Sequence, residues 1–205
     1  MNAPLAELAL EREMARIAQE WAQMRPFGGY TLIKADPPWK MATWSKKGET
    51  KKSALGQYKC QPEEWISAMP LDALAADNCL LWLWATNPML PHALRVMDAW
   101  GFEFKTAGHW SKRTTHGKLA FGTGYILRCA GEPFLIGTRG KVKTARNVRS
   151  VIDAKATGHS RKPAEAFLEA ERLMPHARRI ELFSRKSREN WSVWGDETGK
   201  FDHEN

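Results

Sequence analysis

Apolar positions along this chain change their spacing several times, and each change marks an element. Leu5, Leu8, Met14, Ile17, Trp21 and Met24 recur at helical intervals, which predicts an amphipathic helix over about residues 4–24. Pro26, Gly28 and Gly29 end it, and residues 30–35 form a strand. Residues 40–60 carry Lys, Gly, Ser and Thr without period, the pattern of a loop able to act as a lid. Pro62 opens a short helix through Trp65 and Met69, with a further piece at 71–76. Residues 79–85 are apolar throughout, as a strand covered on both faces requires. A helix over 88–100 is closed by Gly101 and turns Leu90, Leu94 and Met97 inward. Strands are expected at 103–110, 124–129 and 133–137, then a helix at 163–173 with Ala166, Phe167, Ala170 and Leu173 inward, then a strand at 179–183. Strands alternating with long helices predict a three-layer α/β sandwich around a mostly parallel, twisted sheet. Ligands in such folds bind beyond the carboxyl ends of the strands.

The chain's 205 residues suit one main domain, drawn here as 26–200, with the first helix (1–25) and a tail (201–205) attached to it. Cys60, Cys79 and Cys129 are odd in number and far apart, so neither a disulfide framework nor a metal knuckle is expected, and no metal site is assigned. The longest apolar run is too short to cross a bilayer, and the first residues lack the pattern of a secretory leader, so a cytoplasmic location is expected. Net charge is +8 and is clustered. Lys46, Lys47, Lys51 and Lys52 crowd one loop, and Arg139, Lys141, Lys143, Arg146 and Arg149 form an acid-free stretch. Such clusters point to a polyanionic partner, nucleic acid above all.

The strand at 30–35 delivers Asp36-Pro37-Pro38-Trp39. That combination suits the presentation of an exocyclic amine to an electrophile. The amino nitrogen of a nucleobase shares its lone pair with the ring and attacks poorly until hydrogen-bond acceptors draw its hydrogens away. The Asp36 carboxylate is one acceptor and the Pro37 carbonyl a second, held outward because consecutive prolines restrict the backbone. Trp39 offers a ring on which a base can stack, a contact worth about 1–3 kcal/mol.

Seven segments recur in a fixed order: Ala35-Asp-Pro-Pro-Trp39, Leu83-Trp-Ala-Thr-Asn-Pro88, Gly122-Thr-Gly124, Gly137-Thr-Arg-Gly140, His159-Ser-Arg-Lys-Pro163, Glu181-Leu-Phe-Ser-Arg185 and Trp194-Gly-Asp-Glu197. In this the chain resembles the family of the seventy-kilodalton subunit of messenger-RNA adenosine methyltransferase, in its bacterial or phage members. The resemblance covers about residues 30–197. It implies a Rossmann-like methyltransferase fold with the catalytic segment ahead of the cofactor segment. It also implies transfer of the S-adenosylmethionine methyl group to the exocyclic nitrogen of adenine, in DNA ahead of RNA, with a catalytically silent nucleic-acid-binding subunit as the more distant alternative. Carried over by position, Asp36, Pro37, Pro38 and Trp39 are catalytic, and Asp36, Lys162, Phe183, Arg185, Asp196 and Glu197 hold the cofactor. Tyr58 closes over the base, and Lys46, Lys47, Lys112, Arg139 and Lys141 meet the nucleic acid. Relatives pair through the substrate side, which implies a homodimer. The chain departs from the family in three ways. It lacks the acidic-plus-aliphatic pair upstream of the catalytic strand, has Lys186-Ser187-Arg188 in place of a His-Asn pair, and carries no long target-recognition insertion.

Overall fold

The computed structural model describes residues 3–40, 60–124, 126–156 and 161–203, so the expected substrate residues Lys46, Lys47 and Tyr58 lie outside the described residues. In chain order the elements are α1 (Ala3–Met24), β1 (Tyr30–Ala35), α2 (Glu63–Ser67), β2 (Ala75–Trp84), α3 (Leu90–Ala99), β3 (Glu103–Arg113), β4 (Gly131–Arg139), β5 (Val151–Lys155), α4 (Ala164–Leu173), β6 (Arg179–Leu182) and β7 (Ser192–Trp194). The seven strands form one sheet in the order β5-β3-β4-β2-β1-β6-β7. β1 is parallel to β2 and β6, β6 to β7, and β3 to β5. Only β4 runs against its neighbours. The carboxyl ends of six strands therefore share one edge, joined there by the start of β4.

Alternation along the central strands explains the layers. Leu81 and Leu83 face one side with Ile33 and Ala35, where they meet Ile17 and Trp21 of α1 and Ala93, Val96 and Met97 of α3. Leu80, Trp82 and Trp84 face the other side with Leu32, where they meet Ala166, Phe167 and Ala170 of α4. Each large apolar side chain so buried contributes about 1.5–3 kcal/mol. β1 and β2 are covered on both faces, and their nearly continuous apolar sequence follows from that.

Several expectations needed correction. Leu94 is exposed, because a 3-10 turn at Asn87–Met89 precedes α3 and rotates it so that Ala93, Val96 and Met97 point inward. Leu5 and Leu8 are also exposed, and the apolar stripe of α1 meets the core from Leu10 onward, with full burial from Met14. The piece expected at 71–76 is a single turn, Leu71–Ala73, after which β2 begins at Ala75. The strand expected at 124–129 is absent among its described residues. There the Gly122 N–H donates to the Cys129 carbonyl (2.8 Å) and the Cys129 N–H to the Thr123 carbonyl (3.2 Å), so the segment closes on itself. β5 and β7 were not expected from the pattern.

Candidate active site

Asp36 follows directly on β1, and its backbone N–H reaches the Leu182 carbonyl of β6 at 3.5 Å. Its Oδ2 accepts a hydrogen bond from Lys162 Nζ at 2.7 Å. The same ammonium lies 2.9 Å from Glu132 Oε1, and Lys112 Nζ donates to Glu132 Oε2 at 2.8 Å. Four charges thus alternate in sign across the ends of β1, β4 and β3. Burial works against the Lys162 ammonium, but Asp36 and Glu132 outweigh it and hold its pKa above the usual range. Burial likewise pushes the Glu132 carboxyl up, but Lys162 and Lys112 outweigh it and hold the group below the usual carboxylate range. With two cations facing two anions, the chain of groups avoids the penalty of an unpaired buried charge.

The two prolines are pinned by their neighbours. The Trp39 N–H donates to the Pro37 carbonyl (2.8 Å), and the Gln61 N–H to the Pro38 carbonyl (2.8 Å). Trp39 Nε1 donates to the Trp84 carbonyl at 3.1 Å, tying the turn to the end of β2. Only 5% of Trp39 is exposed, so its ring fixes the turn and does not present the open stacking face expected of it.

Two cavities meet at Asp36. The larger, about 680 Å³, also has Arg113, Lys162, Phe167, Glu181 and Arg188 in its wall. The smaller, about 220 Å³, is bounded by Pro38, Trp65, Trp194, Asp196 and Glu197. Phe183, Ser184 and Arg185 belong to both. Phe183 has φ of 63°, a left-handed conformation costing a non-glycine residue about 1–2 kcal/mol. That turn sends its ring across the small cavity, 5.8 Å from Trp194 and 6.4 Å from Trp65 between centroids. Gly195 permits the approach behind it, because a Cβ there would stand 2.8 Å from the Ser184 carbonyl oxygen. Glu197 pairs with Lys200 and lies 3.9 Å from Arg185, yet its Oε2 accepts no hydrogen bond among the described residues.

A second charged group lies beneath this floor. Lys34 is fully buried, with Nζ 3.6 Å from Glu181 Oε1 and 3.3 Å from the centre of the Phe167 ring. Ser184 Oγ donates to Glu181 Oε2 at 2.8 Å. The Arg188 guanidinium lies 3.5 Å from the Phe167 ring centre. Burial brings the Lys34 pKa down to about 8 despite the pull of Glu181 and Asp36.

The fold therefore gathers Asp36, Pro37, Pro38, Lys112, Lys162, Phe183, Arg185, Asp196 and Glu197 at one edge. Arg139 and Lys141 do not join them. β4 is antiparallel to β2, so Arg139 stands opposite Cys79 near the start of β2, paired with Asp72, and the Lys141 N–H bonds Asn78 Oδ1. Glu132, Lys34, Glu181 and Ser184 were missed from the sequence. One signal for Glu132 was available: it is the sole acid between Glu103 and Asp153.

An acid at the carboxyl edge of a curled, mostly parallel sheet, with an aromatic cavity beside it, defines a Rossmann-like methyltransferase fold. The chain belongs to the MT-A70 family, whose pattern matches residues 30–197. It is 30% identical over 184 residues to the type II methyltransferase M.MunI of a Mycoplasma species, covering 81% of this chain and 76% of that protein. It is 29% identical to human N(6)-adenine-specific methyltransferase METTL4 over 85% of this chain. It is 31% identical to the N6-methyladenosine RNA methyltransferase MTA1 of Cryphonectria parasitica over 84% of this chain. The chain spans 38% of the human protein's length and 52% of the fungal one's.

Proposed function

We propose that this chain transfers the methyl group of S-adenosylmethionine to the exocyclic nitrogen of adenine in DNA. One observation carries the reading: the Asp36 carboxylate, one residue ahead of Pro37 at the end of β1, is braced through Oδ2 by a buried lysine. Two acceptors, that carboxylate and the Pro37 carbonyl, draw on the two hydrogens of an amine and free its lone pair. Lys162 fixes the rotamer of the Asp36 carboxylate, and Glu132 shares the ammonium so that the carboxylate is not fully neutralised. Asp36 Oδ1 then accepts one amine hydrogen and the Pro37 carbonyl the other. The proton leaves after transfer, so no strong base is required.

The residues fit the methyl donor. Glu197 Oε2, lacking a hydrogen bond among the described residues, suits a ribose hydroxyl or an adenine amine, and the walls of Trp65, Phe183 and Trp194 suit a purine ring. Arg185 and Lys162 supply positive charge for the donor's carboxylate. When bound, the donor supplies an electrophilic methyl group on a sulfonium.

DNA is preferred to RNA because M.MunI, which this chain covers over 76% of its length, is a type II methyltransferase. Matched DNA and RNA oligonucleotides incubated with tritiated donor test the choice. Label at adenine N6 in DNA is expected. Label confined to RNA overturns the substrate, and donor binding without label in either polymer overturns the activity.

A further inference from the structure

β3 and β4 are joined along the edge that carries Asp36. Residues 111–131 contain no Asp or Glu, but include Lys112, Arg113, Lys118 and Arg128. The same loop leaves large apolar side chains in water: Leu119 is 55% exposed, Phe121 78%, Ile126 85% and Leu127 82%. Exposed apolar groups clustered in this way mark a contact surface. Hydrogen bonds from Thr114 to Lys118, from Ala120 to Lys112 and from Gly122 to Cys129 hold the loop in shape. Arg128 sits 4.9 Å over the Phe121 ring. The stems are part of the site, since Lys112 bonds Glu132, two links from Asp36, while Arg113 and Gly117 line the larger cavity.

We propose that this loop is the contact with duplex DNA, with Phe121, Ile126 and Leu127 entering the base stack beside the target while Lys118 and Arg128 lie against flanking phosphates. The proposal rests on the adenine-methylation reading above. An adenine reaches Asp36 only by leaving its stack, and the gap it leaves must be filled. Apolar side chains wedged between base steps do this, and they need cations around them to stay on the polyanion. A second copy of the chain is the poorer occupant. Two-fold pairing through this loop brings two acid-free, cationic surfaces together.

The test compares the wild type, the double variant Ile126→Ser with Leu127→Ser, and Phe121→Ala on two DNA duplexes. One has the target adenine paired with thymine, and the other has it opposite an abasic position, where extrusion is easy. These side chains are exposed, so the variants should melt as the wild type does. On the paired duplex kcat/KM should fall at least about tenfold, and on the abasic duplex the variants should stay within about threefold of wild type. Equal loss on both duplexes, or loss on neither, overturns the role of the loop alone. So does a wild-type dimer, seen by sedimentation, that the double variant splits. A wild type that binds donor yet methylates neither duplex overturns the functional reading together with the loop's role.

Discussion

A lysine between two carboxylates is the residue-scale feature that organises this site. Lys162 is bonded to Asp36 and Glu132 together, so Glu132 shapes the position of the Asp36 carboxylate through the shared ammonium. Glu132→Gln should lower kcat at least about tenfold while changing donor affinity less than about threefold, measured by single-turnover kinetics and calorimetry. Equal losses in both would mean that Glu132 serves donor binding. Lys34 gives a pH prediction. Its pKa is depressed from 10.5 to about 8 by burial, so between those values the unfolded chain holds a proton that the folded chain has released. Stability from this group therefore rises with pH across that window, and below it the full burial penalty remains. Cys79, which burial raises to about 12, acts in the opposite sense above the ordinary thiol value. Comparing Lys34→Met with wild type cancels that contribution. The variant's gain or loss relative to wild type in denaturant unfolding should shift towards loss between pH 7.5 and 9.5, and an unchanged difference contradicts the assignment.

At the scale of elements, what could be read from the sequence depended on how local its cause is. β1 matches its expected bounds, 30–35, because paired glycines precede it and Asp-Pro-Pro ends it. β2 runs four residues earlier than the pattern suggested, since exposed Asp77 and Asn78 interrupt its apolar run while Tyr30 still pairs with Ala75. β5 was hidden because only Ile152 and Ala154 turn inward within a basic stretch. The motif segments were readable, whereas what Glu132, Lys34 and Glu181 bond to is set only when strands distant in sequence become neighbours. The turn that follows β7 carries its own prediction. Gly195→Ala forces a Cβ against the Ser184 backbone and displaces Phe183, so donor affinity should fall at least about tenfold with the fold retained. Calorimetry reads this directly, and unchanged affinity would remove Phe183 from the donor pocket.

For the whole molecule, topology accounts for the convergence. Six strands ending at one edge bring Asp36, Lys112, Phe183 and the turn after Trp194 together, and the reversed β4 brings Glu132 to them by its first residues. The same reversal sends Arg139 and the basic stretch after it to the far edge. Among the described residues no helix is long and apolar enough to cross a membrane. A net charge of +8 implies that nucleic-acid binding should weaken steeply with salt, with log Kd rising linearly against log salt at a slope near the number of phosphates contacted. A slope of zero in a fluorescence titration would contradict an electrostatic contact. The central claim is that Asp36 grips the amine and is not needed to hold the donor. Single-turnover methylation of a DNA duplex by Asp36→Asn, with donor affinity measured alongside, tests it most directly. The rate should fall at least about a hundredfold with donor Kd within about threefold of wild type. A variant that methylates at the wild-type rate contradicts the account.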